Sequence, residues 1–192
     1  MKLYYPHKPY HVSQAWGNPN PAYANQFDDP NFKRHNGIDS VTNRFDYQGK
    51  LITEFGVFCP MEGLRVVLVR YVEQGGGNEL WLETKDEYQI GDKKCRASFI
   101  LCHAKKVLVK AGDEPKLGEL LMISDTTGFS TGLHVHFGMY RIDSRGRKID
   151  TNEATGSYDP AIFFTKEYAV DKADTATHIK SGLRYLAYFL GK

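Results

Sequence analysis

Residues 128–140 read GFSTGLHVHFGMY. Two histidines, His134 and His136, stand one residue apart in an apolar run, just after a Gly/Ser/Thr turn. A strand sends alternate side chains to opposite faces. Val135, Phe137 and Met139 therefore read as core, while His134, His136 and Tyr140 share the other face. The two imidazoles stand roughly 7 Å apart along the backbone at about 3.3 Å per residue, close enough to address a common point. That point holds a metal or a substrate, or the pair simply faces water. The stretch alone leaves these readings open.

Working outward, the pattern from residue 51 stays β. LITEFGVFCP (51–60), EGLRVVLVRYV (62–72), NELWLET (78–84), RASFILCHA (96–104) and KVLVKAG (106–112) are short runs rich in β-branched and aromatic residues. Gly, Asp and Lys clusters separate them, which predicts a mainly β, antiparallel sheet domain. The triple glycine 75–77 reads as a hairpin loop, because no helix signal follows it to make a phosphate cradle. Residues 1–34 are punctuated by Pro6, Pro9, Pro19, Pro21 and Pro30 and read as loops with one short strand near residues 11–16. From about residue 166 the period changes. Ile179, Leu183, Tyr185, Leu186, Phe189 and Leu190 recur at helical spacing behind a cap at Asp174 or Thr175. A domain over 1–165 and a C-terminal helical extension over 166–192 are expected. The helix either docks on its own domain or offers its apolar face to a protein partner or membrane surface.

The chain has 192 residues and a net charge of +2, which gives no case for nucleic-acid binding. Cys59, Cys95 and Cys102 make an odd set without CxxC spacing, so buried free thiols are expected rather than a disulfide framework. The opening MKLYYPHKPYHVSQAWG has no apolar core of a signal peptide, and no run approaches the ~18 apolar residues of a membrane helix. A soluble chain made in the cytoplasm is expected.

Of seven histidines, His7, His11 and His178 read as surface. His35 opens HNGID, four residues before Asp39, and His103 follows the apolar run SFILC. A catalytic zinc takes three protein ligands from His and Asp/Glu and leaves a fourth position to water. A straight strand would hold His35 and Asp39 about 13 Å apart, so a bend is needed. Asn36-Gly37 is expected to supply it, since glycine tolerates positive φ. One member of the HxH pair would complete a His₂Asp set. The other, with His103, would be placed for proton transfer and oxyanion support. No HExxH is present, which excludes the helical zincin arrangement.

Together these pieces resemble the M23 metallopeptidases, the lysostaphin/LytM-type peptidoglycan endopeptidases. The matching segments are HNGID (35–39), ILCHAKKVLVKAGDEPKLGELL (100–121) and TTGFSTGLHVHFGMY (126–140), with Asp159-Pro160 trailing; the resemblance covers roughly residues 11–165. It implies an antiparallel β-sheet with a groove and one Zn²⁺ per chain on His35, Asp39 and His136. It further implies catalytic roles for His103 and His134, and hydrolysis of a peptide bond in peptidoglycan stem or cross-bridge peptides. Action at the cell wall, after phage or virion delivery or another exit route, follows from the same resemblance. The chain departs from the family's pattern at Leu133, Val135 and Cys102, and at Ala15–Asn18 in place of Phe-Gly-x-Arg.

Two rival readings stand beside it. A cysteine hydrolase on Cys102 is disfavoured, because on one strand Cys102 should face the core and His103 the opposite side. A non-catalytic structural module, such as a phage virion component, would use the same fold. The intact five-residue set separates it from the enzyme.

Overall fold

A computed structural model describes residues 1–19, 34–42, 44–46, 48–149 and 157–191; the turns expected at Pro21 and Pro30 lie outside them. Among the described residues the strands, in chain order, are β1 (Leu3–Tyr5), β2 (His11–Gln14), β3 (Gly37–Val41), β4 (Gly56–Phe58), β5 (Leu64–Val72), β6 (Gly77–Thr84), β7 (Tyr88–Ile90), β8 (Lys93–Val107), β9 (Leu120–Ser124), β10 (Val135–Ile142) and β11 (Phe164–Tyr168). Helix α1 (Thr175–Leu190) follows.

The main sheet is antiparallel, in the order β2-β3-β10-β8-β6-β5, with β7 and β9 also pairing β8 and β4 pairing β9. β1 and β11 form a separate parallel pair. The mainly β, antiparallel class read from the sequence is therefore the class observed. The runs 96–104 and 106–112 differ from their reading as two strands. The first, with Lys106 and Val107, lies within the single 15-residue strand β8. A register shift at Cys102–His103 opposite Glu79, and a second near Lys105, let that strand bend and change partners.

One face of the sheet is the core. Ala97, Phe99 and Leu101 of β8 meet Val135, Phe137 and Met139 of β10 and Leu80 and Leu82 of β6, all fully buried. The opposite face carries a smaller cluster of Ile100, Cys102, Tyr140 and Trp81. The β5–β6 connection around residues 75–77 is the hairpin expected. All three cysteines are buried thiols outside any disulfide.

One surface reading is corrected. His7 is fully buried. Its Nδ1–H donates to the Pro9 carbonyl at 2.8 Å, its Nε2 accepts from Ser40 Oγ at 2.8 Å, and its ring packs on Phe55. The N-terminal segment thus tucks beneath β3, a long-range contact that no local pattern announces. Helix α1 docks on the domain, one of the two arrangements expected, through Tyr185 and Tyr188 and a polar face beside them, leaving most of the apolar stripe outward. Thr177, Ser181 and Tyr188 are buried, and Ser181 Oγ accepts from Leu120 N at 2.9 Å. Arg184 and Lys180 pair with the buried carboxylate of Glu119 at 2.6 and 2.7 Å. Ile179, Leu183, Leu186 and Leu190 face outward. No helix among the described residues is long and apolar enough to cross a membrane.

Candidate metal centre

Antiparallel register sets His136 of β10 directly opposite Asp39 of β3. Side chains of such a pair project to the same face, and His136 Nδ1 lies 2.9 Å from Asp39 Oδ1. His35 enters from just before β3, with Nε2 3.0 Å from Asp39 Oδ1 and 3.1 Å from His136 Nδ1. The bend between His35 and Asp39 exists, but not for the expected reason, since Gly37 does not take up positive φ. Instead the His136 ring lies against Gly37, where a Cβ would stand 2.7 Å from Nε2 and Cε1. Glycine is needed there for space.

The three donor atoms make a triangle with sides of 2.9–3.1 Å. Tetrahedral zinc with donors at 2.0–2.1 Å asks for edges of roughly 3.3 Å, so a small outward relaxation seats the ion. His35, Asp39 and His136 are the group of metal-ligating side chains that the described residues bring together. The chemistry of the set agrees with the geometry. His35 Nδ1 faces the Ala15 carbonyl at 3.0 Å. A carbonyl only accepts, so Nδ1 carries the proton and Nε2 turns a lone pair to the centre. Burial raises the Asp39 carboxyl, but the His136 and His35 imidazoles 2.9 and 3.0 Å away, with His134 beside them, outweigh it and hold it well below the usual carboxylate range. Burial pushes the His136 imidazole down despite the pull of Asp39, which favours the neutral, ligating form. An anion and two imidazole lone pairs crowded within about 3 Å suit a divalent cation.

The segment before the histidine supports it largely through its backbone. Gly17 N donates to the His35 carbonyl, and His35 N to Asn18 O, each at 2.8 Å. Trp16 Nε1 donates to Ser157 Oγ at 2.9 Å. Residues 15–18 thus cradle His35, a support that sequence reading missed because carbonyls and amides leave no compositional trace.

His134 and His103 stand beside the triangle. His134 Nδ1–H donates to the Gly132 carbonyl at 2.8 Å, and Nε2 sits 3.6 Å from Asp39 Oδ2. His103 Nδ1–H donates to the Thr127 carbonyl at 2.8 Å. The His103 and His134 rings lie 4.5 Å apart, and the His103 and His136 rings 6.4 Å. Both hydrogen bonds leave Nε2 as the free lone pair. Burial, with the charge of His134, pushes the His103 imidazole down to about 4.

His103 reaches this face by a strained route. Regular alternation along β8 would send it to the core with Leu101. It adopts φ of 64°, alone among the described non-glycine residues, at the register shift opposite Glu79. Such conformations cost on the order of 1–3 kcal/mol and cluster at functional sites. The bulge brings His103 to the face that Cys102 already shares with Ile100, so Cys102 lines the cleft instead of joining the main core. Its thiol is inert all the same, since burial pushes it well above its ordinary value.

The glycine hairpin supports this bulge. His103 N donates to Gly76 O, and Phe129 N to Gly75 O. Gly77 (φ 62°) presses on Thr127, whose carbonyl orients His103. The cleft above His103 and His136 holds about 350 Å³.

No family model matches the chain. An uncharacterized metalloprotease of Haemophilus influenzae is 35% identical over 94 residues, 49% of this chain and 17% of that protein. The aligned part is therefore under a fifth of that relative's length. The catalytic domain of lysostaphin from Staphylococcus simulans superposes with a TM-score of 0.56 at 22% identity, covering 80% of this chain and 91% of that one. A zinc-containing peptidase from Vibrio cholerae superposes with a TM-score of 0.55 at 23% identity, covering 82% of this chain and 41% of that one. The fold is thus that of the lysostaphin-type M23 peptidase domains, as the three motifs lead one to expect.

Proposed function

We propose that this chain is a zinc metalloendopeptidase that cleaves a peptide bond in peptidoglycan stem or cross-bridge peptides. The observation that carries the reading is the triangle of His35, Asp39 and His136, flanked by two further imidazoles with bare Nε2 atoms. The likeness to peptidase folds and to a relative named as a metalloprotease supports hydrolysis of peptides. The peptidoglycan substrate rests on the resemblance of the motifs.

Those three residues would hold one Zn²⁺ per chain. When bound, it supplies Lewis acidity to a scissile carbonyl and to the attacking water. His103 is neutral at pH 7 and accepts a proton at Nε2. His134, steered by Asp39 Oδ2, donates from Nε2 when charged and supports a developing oxyanion. The carbonyls of Gly132 and Thr127 accept from Nδ1–H of the two rings and keep each Nε2 turned to the cleft. The outward stripe of Ile179, Leu183, Leu186 and Leu190 supports a protein partner on helix α1, and Leu183→Lys would release it.

Elemental analysis of the purified chain at pH 7.5 tests the centre. The expected result is about one zinc per chain, lost in His35→Ala, with release of new amino termini from purified peptidoglycan. A chain that stays zinc-free after incubation with the ion is not a zinc enzyme, and the structural-module reading then replaces this one.

A further inference from the structure

The cleft that His103 and His136 line is also bounded by Arg70, Glu79, Trp81, Tyr140 and Lys148. These residues form an aromatic floor with two cations. Trp81 and Tyr140 stack at 5.8 Å and 21°. Lys148 Nζ sits 3.4 Å above the Tyr140 ring centroid and 5.7 Å from that of Trp81, and the Arg70 guanidinium lies 5.8 Å from Trp81.

Among the described residues the charges at this floor do not balance. Glu79 is buried and fully engaged, accepting from Arg70 Nε at 2.7 Å, Trp81 Nε1 at 3.0 Å and Gly76 N at 3.2 Å. Arg70 and Glu79 cancel. Lys148 remains, held on the rings, and no carboxylate among the described residues lies within ion-pair distance of it. Lys148 is exposed to the cleft, so its ammonium, seated on the Tyr140 ring, is open to an arriving anion.

We infer that Lys148, on the Trp81–Tyr140 floor and beside Arg70, is a specificity subsite for a carboxylate carried by the substrate peptide. The inference deepens the peptidase reading and rests on it for the identity of the cleft. The subsite selects a peptide with an acidic side chain, or a free carboxyl terminus, over the corresponding amide. Glu79, already satisfied, holds Trp81 and Arg70 in place and does not compete for the ligand.

Binding tests it without turnover. The indole N–H resonance of Trp81, assigned by its persistence in Trp16→Phe, is followed in ¹⁵N–¹H spectra at pH 7, with zinc added and with chelator. Two pairs of probes are titrated. Acetyl-Ala-Glu-amide against acetyl-Ala-Gln-amide reads a side-chain carboxylate; acetyl-Ala-Ala as the acid against its amide reads a terminal one. The expected result is that one acid moves the Trp81 resonance saturably and binds about tenfold more tightly than its amide. Lys148→Gln should reduce that ratio below about twofold, and Lys148→Arg should retain it. Equal response to acid and amide in both pairs, or a preference that survives Lys148→Gln in a folded variant, overturns the subsite. Discrimination without zinc binding or cleavage would keep the subsite and remove the peptidase; cleavage without discrimination would do the reverse.

Discussion

At the scale of single residues, the two members of the HxH pair differ by which nitrogen faces the centre. His136 brings Nδ1 to 2.9 Å from Asp39 Oδ1, inside the triangle. His134 brings Nε2 only to 3.6 Å of the other carboxylate oxygen. His136→Ala is therefore expected to lose zinc and activity together, while His134→Ala keeps about one zinc per chain and loses on the order of 10²–10⁴ in kcat. Metal content beside single-turnover rates checks this, and zinc loss in His134→Ala would mean that the pair is assigned the wrong way round. The five residues were legible in the sequence because they sit in short motifs with distinctive spacing. The partners that hold them were not. The carbonyls of Ala15, Gly132 and Thr127 select the tautomers of three rings, and a carbonyl has no residue type to read. The reason for Gly37 was also hidden, since it depends on a ring that arrives from a strand about a hundred residues later.

At the scale of elements, β8 shows where pattern reading fails. With Phe99 and Leu101 in the core, period-two alternation along β8 sends His103 to the core and Cys102 across from it, the reverse of the sequence reading. One extra residue at the bulge reverses His103 while leaving Ile100 and Cys102 in place. The glycine hairpin that braces the bulge reads as an ordinary turn, because its work lies in the contact with Thr127 and Gly128. Gly77→Ala is expected to cost about 1–3 kcal/mol, since it adds a Cβ at positive φ against the Thr127 backbone. It should lower kcat more than zinc content, because it displaces the carbonyl that orients His103 and leaves the triangle alone. Urea denaturation and metal analysis of the same sample separate the two effects. Helix α1 was legible as a helix, down to its cap at Asp174. Its docking face was not, since Thr177, Ser181 and Arg184 look like a solvated face until Glu119 is seen beneath them. We propose that residues 166–192 stabilise the sheet without entering the site. Truncation after Ala173 should lower Tm by several degrees, by uncovering Leu120 and Ile123, and leave zinc stoichiometry unchanged.

At the scale of the whole molecule, the N-terminal segment closes the fold over the back of β3, the strand that carries Asp39. The seal is His7, which bridges the Pro9 carbonyl and Ser40. Burial pushes its imidazole down to about 4, partly offset by the Pro9 hydrogen bond and reinforced by the charge of His11. Phe55 and Tyr10 cover the ring and bring no charge to it. The unfolded chain binds a proton at His7 near 6.5, and the folded chain only near 4. Between those values the unfolded state holds more protons, so stability falls as pH falls. The contribution is full above about pH 6.5 and lost progressively toward pH 4, and a shift of that size corresponds to roughly 3 kcal/mol. Metal binding depends on pH as well, so the comparison is made in chelator against His7→Gln, which shares every other group. His7→Gln should be less stable at pH 7.5, through loss of packing on Phe55, and should show a shallower decline from pH 6.5 to 4.5. Urea midpoints at four pH values decide the matter. Parallel curves for the two proteins would place the acid sensitivity elsewhere, and diverging curves would tie the backing of the metal strand to the ionisation of one buried ring.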